Sequence, residues 1–120
     1  MLKSVNRLKK RKEFAYLYNN GIAKHTSHLT MVYLSTKKRA TKIGFSISKK
    51  IGKAHTRNFV KRRLRALVRE VVSSLPDEYN IVFIAKAGVE SLDFVRLRTE
   101  LLSLIEKSGL ITKWLGFGLL

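Results

Sequence analysis

Between residues 57 and 75 apolar side chains recur at helical spacing. Val60, Leu64, Leu67, Val68, Val71 and Leu75 fall on one stripe when the chain is wound at 100° per residue. The spacing predicts a helix over 57–74, with Thr56 as its N-cap and Leu75-Pro76-Asp77-Glu78 ending it. A shorter helix is predicted over 13–20, where Phe14, Leu17 and Tyr18 share a face and Tyr16 points elsewhere. Gly21 is its expected stop, in a left-handed cap. A third helix is predicted over 92–108, with Phe94, Leu97, Leu101, Leu104 and Ile105 inward and Gly109 as its stop.

Elsewhere the period is two. Over 28–35, Leu29, Met31 and Tyr33 lie on one face and Thr30, Val32 and Leu34 on the other. Over 42–49, Ile43, Phe45 and Ile47 oppose Gly44, Ser46 and Ser48. The basic turn between them, 36–41, is short, which predicts antiparallel pairing of these two strands. The face of small residues leaves room for something flat or extended, or for a covering helix. Over 79–86 the unbroken apolar run 81–85 suits a central strand covered on both sides. The strand–helix–strand order predicts a β-α-β unit with parallel pairing, and the fold class is α/β. At 120 residues the chain makes one domain. The end, 109–120, is apolar and glycine-rich, and either packs back on the domain or forms a small contact surface.

Charge changes this picture. The chain is 45% hydrophobic, enough to bury a core, yet its formal net charge is +17. Residues 1–69 hold 20 Lys/Arg against the single acid Glu13, whereas residues 70–120 hold 5 against 7 acids. A partner that needs positive charge therefore meets the first part of the chain, and the second part completes the fold. The basic lead-in, 1–12, with its run Lys9-Lys10-Arg11-Lys12, has the ordinary reading of a solvated, partly disordered terminus. The predicted helix over 57–74 is different. Beside its apolar stripe runs a flank of Asn58, Lys61, Arg62, Arg65 and Arg69. The like-charged pairs Arg57/Lys61, Lys61/Arg65 and Arg65/Arg69, each four residues apart, cost a few tenths of a kcal/mol apiece. A solvated surface helix mixes its charges; this one calls for a polyanion.

Several chemistries are excluded or unsupported. There is no cysteine, so disulfides and thiolate metal sites are out. The opening MLKSVNRLKKRK is not followed by an apolar segment, so no signal peptide is expected, and no run is long enough to span a membrane. The chain reads as soluble and cytoplasmic. His25 and His28 have no third ligand nearby, and His55, placed in a basic loop over 50–55, suits a phosphate or sugar contact better than acid–base work. No glycine-rich phosphate loop occurs. The polypeptide alone carries no catalytic constellation.

Residues 49–65, KKIGKAHTRNFVKRRLR, resemble the signature of the bacterial ribonuclease P protein subunit: a Lys-Lys-x-Gly-x-Ala loop, then Arg-Asn opening a cationic helix. The matching positions are Lys49, Lys50, Gly52, Ala54, Arg57, Asn58, Lys61, Arg62 and Arg65. Arg7-Leu8-Lys9-Lys10 with Phe14, Tyr18 and Gly21 resemble the family's N-terminal helix, and the likeness runs over about 5–108. The resemblance implies a ribonucleoprotein endonuclease that removes the 5′ leader of precursor tRNA. In it the RNA subunit is the catalyst and holds Mg²⁺, and the protein binds no metal tightly. The implied fold is a four-stranded mixed sheet like domain 2 of ribosomal protein S5, with a left-handed β-α-β crossover where the general rule gives a right-handed one.

Two surfaces follow from the resemblance. Lys49, Lys50, Lys53, Arg57, Asn58, Lys61, Arg62, Arg65 and Arg69 are expected to hold the catalytic RNA. Phe14, Tyr18 and Tyr33, with Ser48 and Lys49 at the wall, are expected to line a cleft for the single-stranded leader, since aromatic faces stack on bases with little sequence preference. The implied partners are the catalytic RNA and precursor tRNA, bound by a protein monomer in a 1:1 complex, with no membrane. The alternatives are a ribosomal or other structural RNA-binding protein, a self-sufficient nuclease using the histidines, and a binder of anionic membrane.

Overall fold

The computed structural model describes residues 7–37 and 40–111. Helix α1 spans Arg11–Asn20 and stops at Gly21, whose backbone is extended rather than left-handed (φ −80°, ψ 169°). The glycine is required for closeness instead: a Cβ there would stand 2.6 Å from both the Leu17 carbonyl oxygen and Val32 Cγ1. The chain leaves directly into β1 (Ile22–His25), a four-residue strand that the sequence pattern does not announce. It then forms β2 (Leu29–Ser35), β3 (Lys42–Ser46), α2 (Ala54–Val71), β4 (Tyr79–Ala85) and α3 (Phe94–Ser108).

The sheet order is β1-β2-β4-β3. Strands β1 and β2 form an antiparallel hairpin, with Ile22 opposite Tyr33. The expected antiparallel pairing of β2 with β3 does not occur. Strand β4 lies between them, antiparallel to β2 (Leu29 opposite Ala85) and parallel to β3 (Ile43 opposite Ile81). The reason is burial. Ile81, Val82 and Phe83 are apolar on both faces and fully buried, and only an interior position covers both faces of such a strand. The predicted β3-α2-β4 unit with parallel strands is present.

The sheet separates two apolar layers. On one face Leu29, Met31, Tyr33, Ile43, Ile81 and Phe83 pack against Val60, Leu64, Leu67, Val68 and Val71 of α2 and Leu97, Leu101, Leu104 and Ile105 of α3. On the other, Val32 and Val82 pack against Leu8 and Leu17, joined by Phe14, Leu34 and Ile84. The whole stripe predicted for α2 is buried, Leu75 included.

The ends of the helices shift. Helix α2 begins at Ala54 with Lys53 as its N-cap and no side-chain cap, so Thr56 and His55 lie within its first turn. A single 3-10 turn, Val72–Ser74, follows it. Helix α3 is capped by Asp93, whose carboxylate accepts from the Arg96 N–H at 2.8 Å, and stops at Gly109 in the left-handed conformation (φ 78°). Phe94 is not inward: it is 39% exposed, and its ring meets the Arg63 guanidinium at 5.6 Å. Leu110 and Ile111 pack on the core, which answers the question of the tail for those two residues; 112–120 lie outside the described residues.

Glu100 of α3 ties the β1–β2 hairpin to the helix layer. Its carboxylate accepts from Thr26 Oγ1 at 2.7 Å and from the His28 N–H at 2.9 Å, and its other oxygen lies 2.7 Å from His28 Nδ1. Burial pushes the Glu100 carboxyl up, but the hydrogen bonds from Thr26 and His28 together with the His28 charge outweigh it and hold it below the usual carboxylate range.

Candidate nucleic-acid interface

The cationic surface is built from the loop before α2 upward. Ile51 is buried and anchors a 3-10 turn over Lys49–Ile51, which leaves Ser48, Lys49 and Lys50 exposed. Gly52 then takes φ 153°, a conformation that side chains rarely adopt, and lets the chain turn into the helix. The Arg57 guanidinium donates back to the Gly52 carbonyl at 2.8 Å, so Arg57 clasps the loop that carries Lys49, Lys50 and Lys53. No acid stands in the first turn of α2, and its uncapped N–H groups add positive potential.

Along α2 the burial of Val60, Leu64 and Val68 fixes the roll of the helix. Lys61 and Arg65 lie half-buried on one flank, with Asn58, Arg62 and Arg69 exposed toward the crest. Lys61 and Arg65 face a cleft of about 350 Å³ whose other walls are Arg7, Lys9, Phe14 and Phe45, around Gly44. A smaller depression of about 290 Å³ is lined by Arg62, Arg65, Ala66 and Arg69. Arg65 belongs to both, so the band of positive charge is continuous across the helix.

Arg7 and Lys9 come from the basic lead-in, for which the charge run alone suggests a solvated terminus and the family resemblance a place in the N-terminal helix. Instead, the Leu8 N–H donates to the Ile43 carbonyl at 2.9 Å, Arg7 bridges parallel to Ile43, and Leu8 is 5% exposed. The segment covers the open edge of β3 and precedes α1, rather than belonging to it. The buried Leu8, flanked by cations, is the signal that could have shown this. Nε of Arg7 is buried with no hydrogen-bond partner. Glu13, the one acid of the first 69 residues, lies 3.6 Å from Lys42.

The small face of β3 is occupied by Phe14. A Cβ on Gly44 would stand 2.6 Å from Phe14 Cζ and 3.1 Å from Leu8 Cβ, so the ring lies directly on the glycine. The Tyr18 ring follows at 6.3 Å, tilted 46°, and Tyr18 is 45% exposed. These two rings carry the surface from the cationic cleft along α1.

Tyr33 does not join them. It is on the opposite face of the sheet, 8% exposed, with its hydroxyl donating to the Ser108 carbonyl at 3.2 Å. The reason is the period of two: Val32, its neighbour, is the residue of β2 that packs on the α1 side. Ser48 sits at the loop, near Lys49, and does not line the cleft. The structure thus brings together Phe14, Tyr18, Lys61 and Arg65, adds Arg7, Lys9 and Phe45, and removes Tyr33. Among the described residues no group of three His, Cys, Asp or Glu could hold a metal ion, and no helix is long and apolar enough to cross a membrane.

The mixed four-stranded sheet, its cationic helix and the adjoining aromatic cleft define an α/β protein built to bind a polyanion. Residues 2–109 match the model of the Ribonuclease P family, and the chain belongs to that family. It is 39% identical to the ribonuclease P protein component of Nitratiruptor sp., over 88% of this chain and 94% of the relative. It is 34% identical to that of Caldanaerobacter subterraneus subsp. tengcongensis, over 92% and 95%. The fold is shared with a Staphylococcus aureus RNase P protein (TM-score 0.82, 22% identity, 88% of this chain and 90% of that one). It is shared also with the RNase P protein of Thermotoga maritima (TM-score 0.76, 25% identity, 84% and 96%). Membership places the chain in RNA binding and in the processing of tRNA 5′ ends, in association with ribonuclease P RNA. A ribosomal or purely structural RNA-binding role is not favoured.

Proposed function

We propose that this chain is the non-catalytic partner of a catalytic RNA, and that it also grips the single-stranded leader of precursor tRNA. The observation that carries the reading is the meeting, in one cleft, of Arg7, Lys61 and Arg65 with Phe14, continued by Tyr18. Cations attract phosphates without regard to sequence, and aromatic rings stack on any base, which suits leaders of variable sequence. The exposed Lys49, Lys50, Lys53, Asn58, Arg62 and Arg69 then serve the RNA subunit, with Arg57 holding their loop. Tyr33 is left out of the leader surface because it lies across the sheet.

Cleavage in this reading belongs to the RNA and its Mg²⁺. Among the described residues no group of three His, Cys, Asp or Glu could hold the ion, and in this reading the RNA holds it. Of the histidines, His28 is bonded to Glu100 and His25 to Thr30, which leaves them occupied in the fold. The protein, acting as a monomer in a 1:1 complex, reduces repulsion between two polyanions and thereby lowers the Mg²⁺ the RNA needs. Reconstitution tests this. A bacterial ribonuclease P RNA should cleave precursor tRNA at low Mg²⁺ only with the protein present, and equal rates with and without it would sink the proposal.

A further inference from the structure

On the flank of α2 away from the cleft a second feature stands unexplained. At 100° per residue Phe59 and Arg63 lie opposite Lys61 and Arg65, with Arg62 and Ala66 between the two flanks. Phe59 is 43% exposed and Phe94, at the start of α3, is 39% exposed. The Arg63 guanidinium lies 4.9 Å from the centre of the Phe59 ring and 5.6 Å from that of Phe94. It also donates to the Leu92 carbonyl at 2.7 Å, which fixes its plane. Among the cations of α2, Arg63 is therefore committed to joining the two helices, and two large rings stay open to solvent beside it.

We infer that Phe59 and Phe94, set by Arg63, form a second stacking platform for unpaired nucleobases of a bound RNA, separate from the Phe14–Tyr18 surface. The choice of RNA over an apolar protein partner rests on charge. From Arg57 to Arg69 helix α2 carries six cations and no acid. The acids beside the platform are engaged: Asp93 caps α3 through Arg96, and Glu70 pairs with Arg98 at 3.2 Å. A strand whose phosphates lie along Arg62 on the crest places its bases over the flank that holds the rings. A guanidinium against an aromatic ring is moreover an arrangement on which a further flat π-system can stack. The inference rests on the RNA-binding reading and adds a second place where bases, rather than phosphates, are held.

The test uses the full chain and two probes of equal charge, a twelve-nucleotide uridine strand and an abasic ribose-phosphate strand of the same length. Phe59→Ala and Phe94→Ala should each weaken uridine-strand binding about fivefold or more while leaving abasic-strand binding within about twofold. Tyrosine at either position should retain the wild-type preference and leucine should not. Equal loss on both probes, no loss on either, or rescue by leucine would overturn the inference. So would a concentration-dependent dimer, seen by sedimentation, that Phe59→Ala abolishes with uridine binding unchanged. If Lys61→Ala and Arg65→Ala weaken both strands while the phenylalanine variants do nothing, RNA binding stands and only the platform fails. If the lysine and arginine variants also bind like wild type, the RNA-binding reading itself fails, and the platform with it.

Discussion

The Arg57 guanidinium donates to the carbonyl of Gly52 across 2.8 Å, so a cation expected to face RNA instead closes the loop that precedes its own helix. Arg57→Ala should lower stability by about 1 kcal/mol in urea unfolding, the scale of one partly exposed charge-assisted hydrogen bond. It should also weaken RNA binding by more than Lys53→Ala does, because three loop lysines lose their support while Lys53→Ala removes one exposed charge. Equal losses in titrations with ribonuclease P RNA would show that Arg57 acts as a simple phosphate contact.

Phe14 and Gly44 are a second such pair. Gly44→Ala places a Cβ about where the Phe14 ring lies, at 2.6 Å from Cζ and 2.9 Å from Cε1. Overpacking of this kind costs about 1–3 kcal/mol. The double variant Phe14→Ala/Gly44→Ala should be less destabilised than the sum of the two single changes, since removing the ring removes the clash. Denaturant unfolding of the four proteins measures the coupling.

The two RNA surfaces should separate in binding assays. Arg62→Ala, on the surface assigned to the RNA subunit, should weaken precursor and mature tRNA complexes of the assembled ribonucleoprotein alike and flatten the dependence of log K on log salt by about 0.7–0.9. Phe14→Ala or Tyr18→Ala should leave that slope unchanged and reduce the preference for precursor over mature tRNA. Tyr33→Phe should do neither, and should lower stability by about 0.5–1.5 kcal/mol through loss of the bond to the Ser108 carbonyl.

Glu100 gives the fold a dependence on acid. Its carboxyl is held below the ordinary range in the folded chain, so its stabilisation is present above the unfolded pKa and is lost as the pH falls through the lowered folded value. Glu100→Gln should melt about 3–5 °C lower than wild type at pH 7, the shift expected for about 1 kcal/mol. The difference between the two proteins should shrink as the pH is taken below the carboxylate range, as followed by thermal melts across that interval.

Much of the candidate site was legible from local signals. The six-residue stripe of α2 fixed which flank carries Lys61 and Arg65, and all six stripe residues are buried. The period of two assigned Val32 and Leu34 to one face of β2 and Tyr33 to the other, and the structure keeps that assignment. The family likeness places Tyr33 beside Phe14; the alternation separates Tyr33 from Val32 without saying which face meets Phe14, and the packing of Val32 against Leu17 decides it. Strand β1, four residues long and mostly exposed, carries too little pattern to be seen in isolation.

Local patterns along the chain set the periodic elements, the inward stripe, the concentration of charge in residues 1–69 and the RNA-binding motif, because each depends on residues close in sequence. Long-range packing sets β4 between β2 and β3, brings Arg7 and Leu8 to the edge of β3, and rests Phe14 on Gly44 beside Lys61 and Arg65. Those outcomes turn on which apolar surfaces are buried together and which strand edge is left to cover. Such competition runs between segments far apart in the chain, and no local spacing records its result.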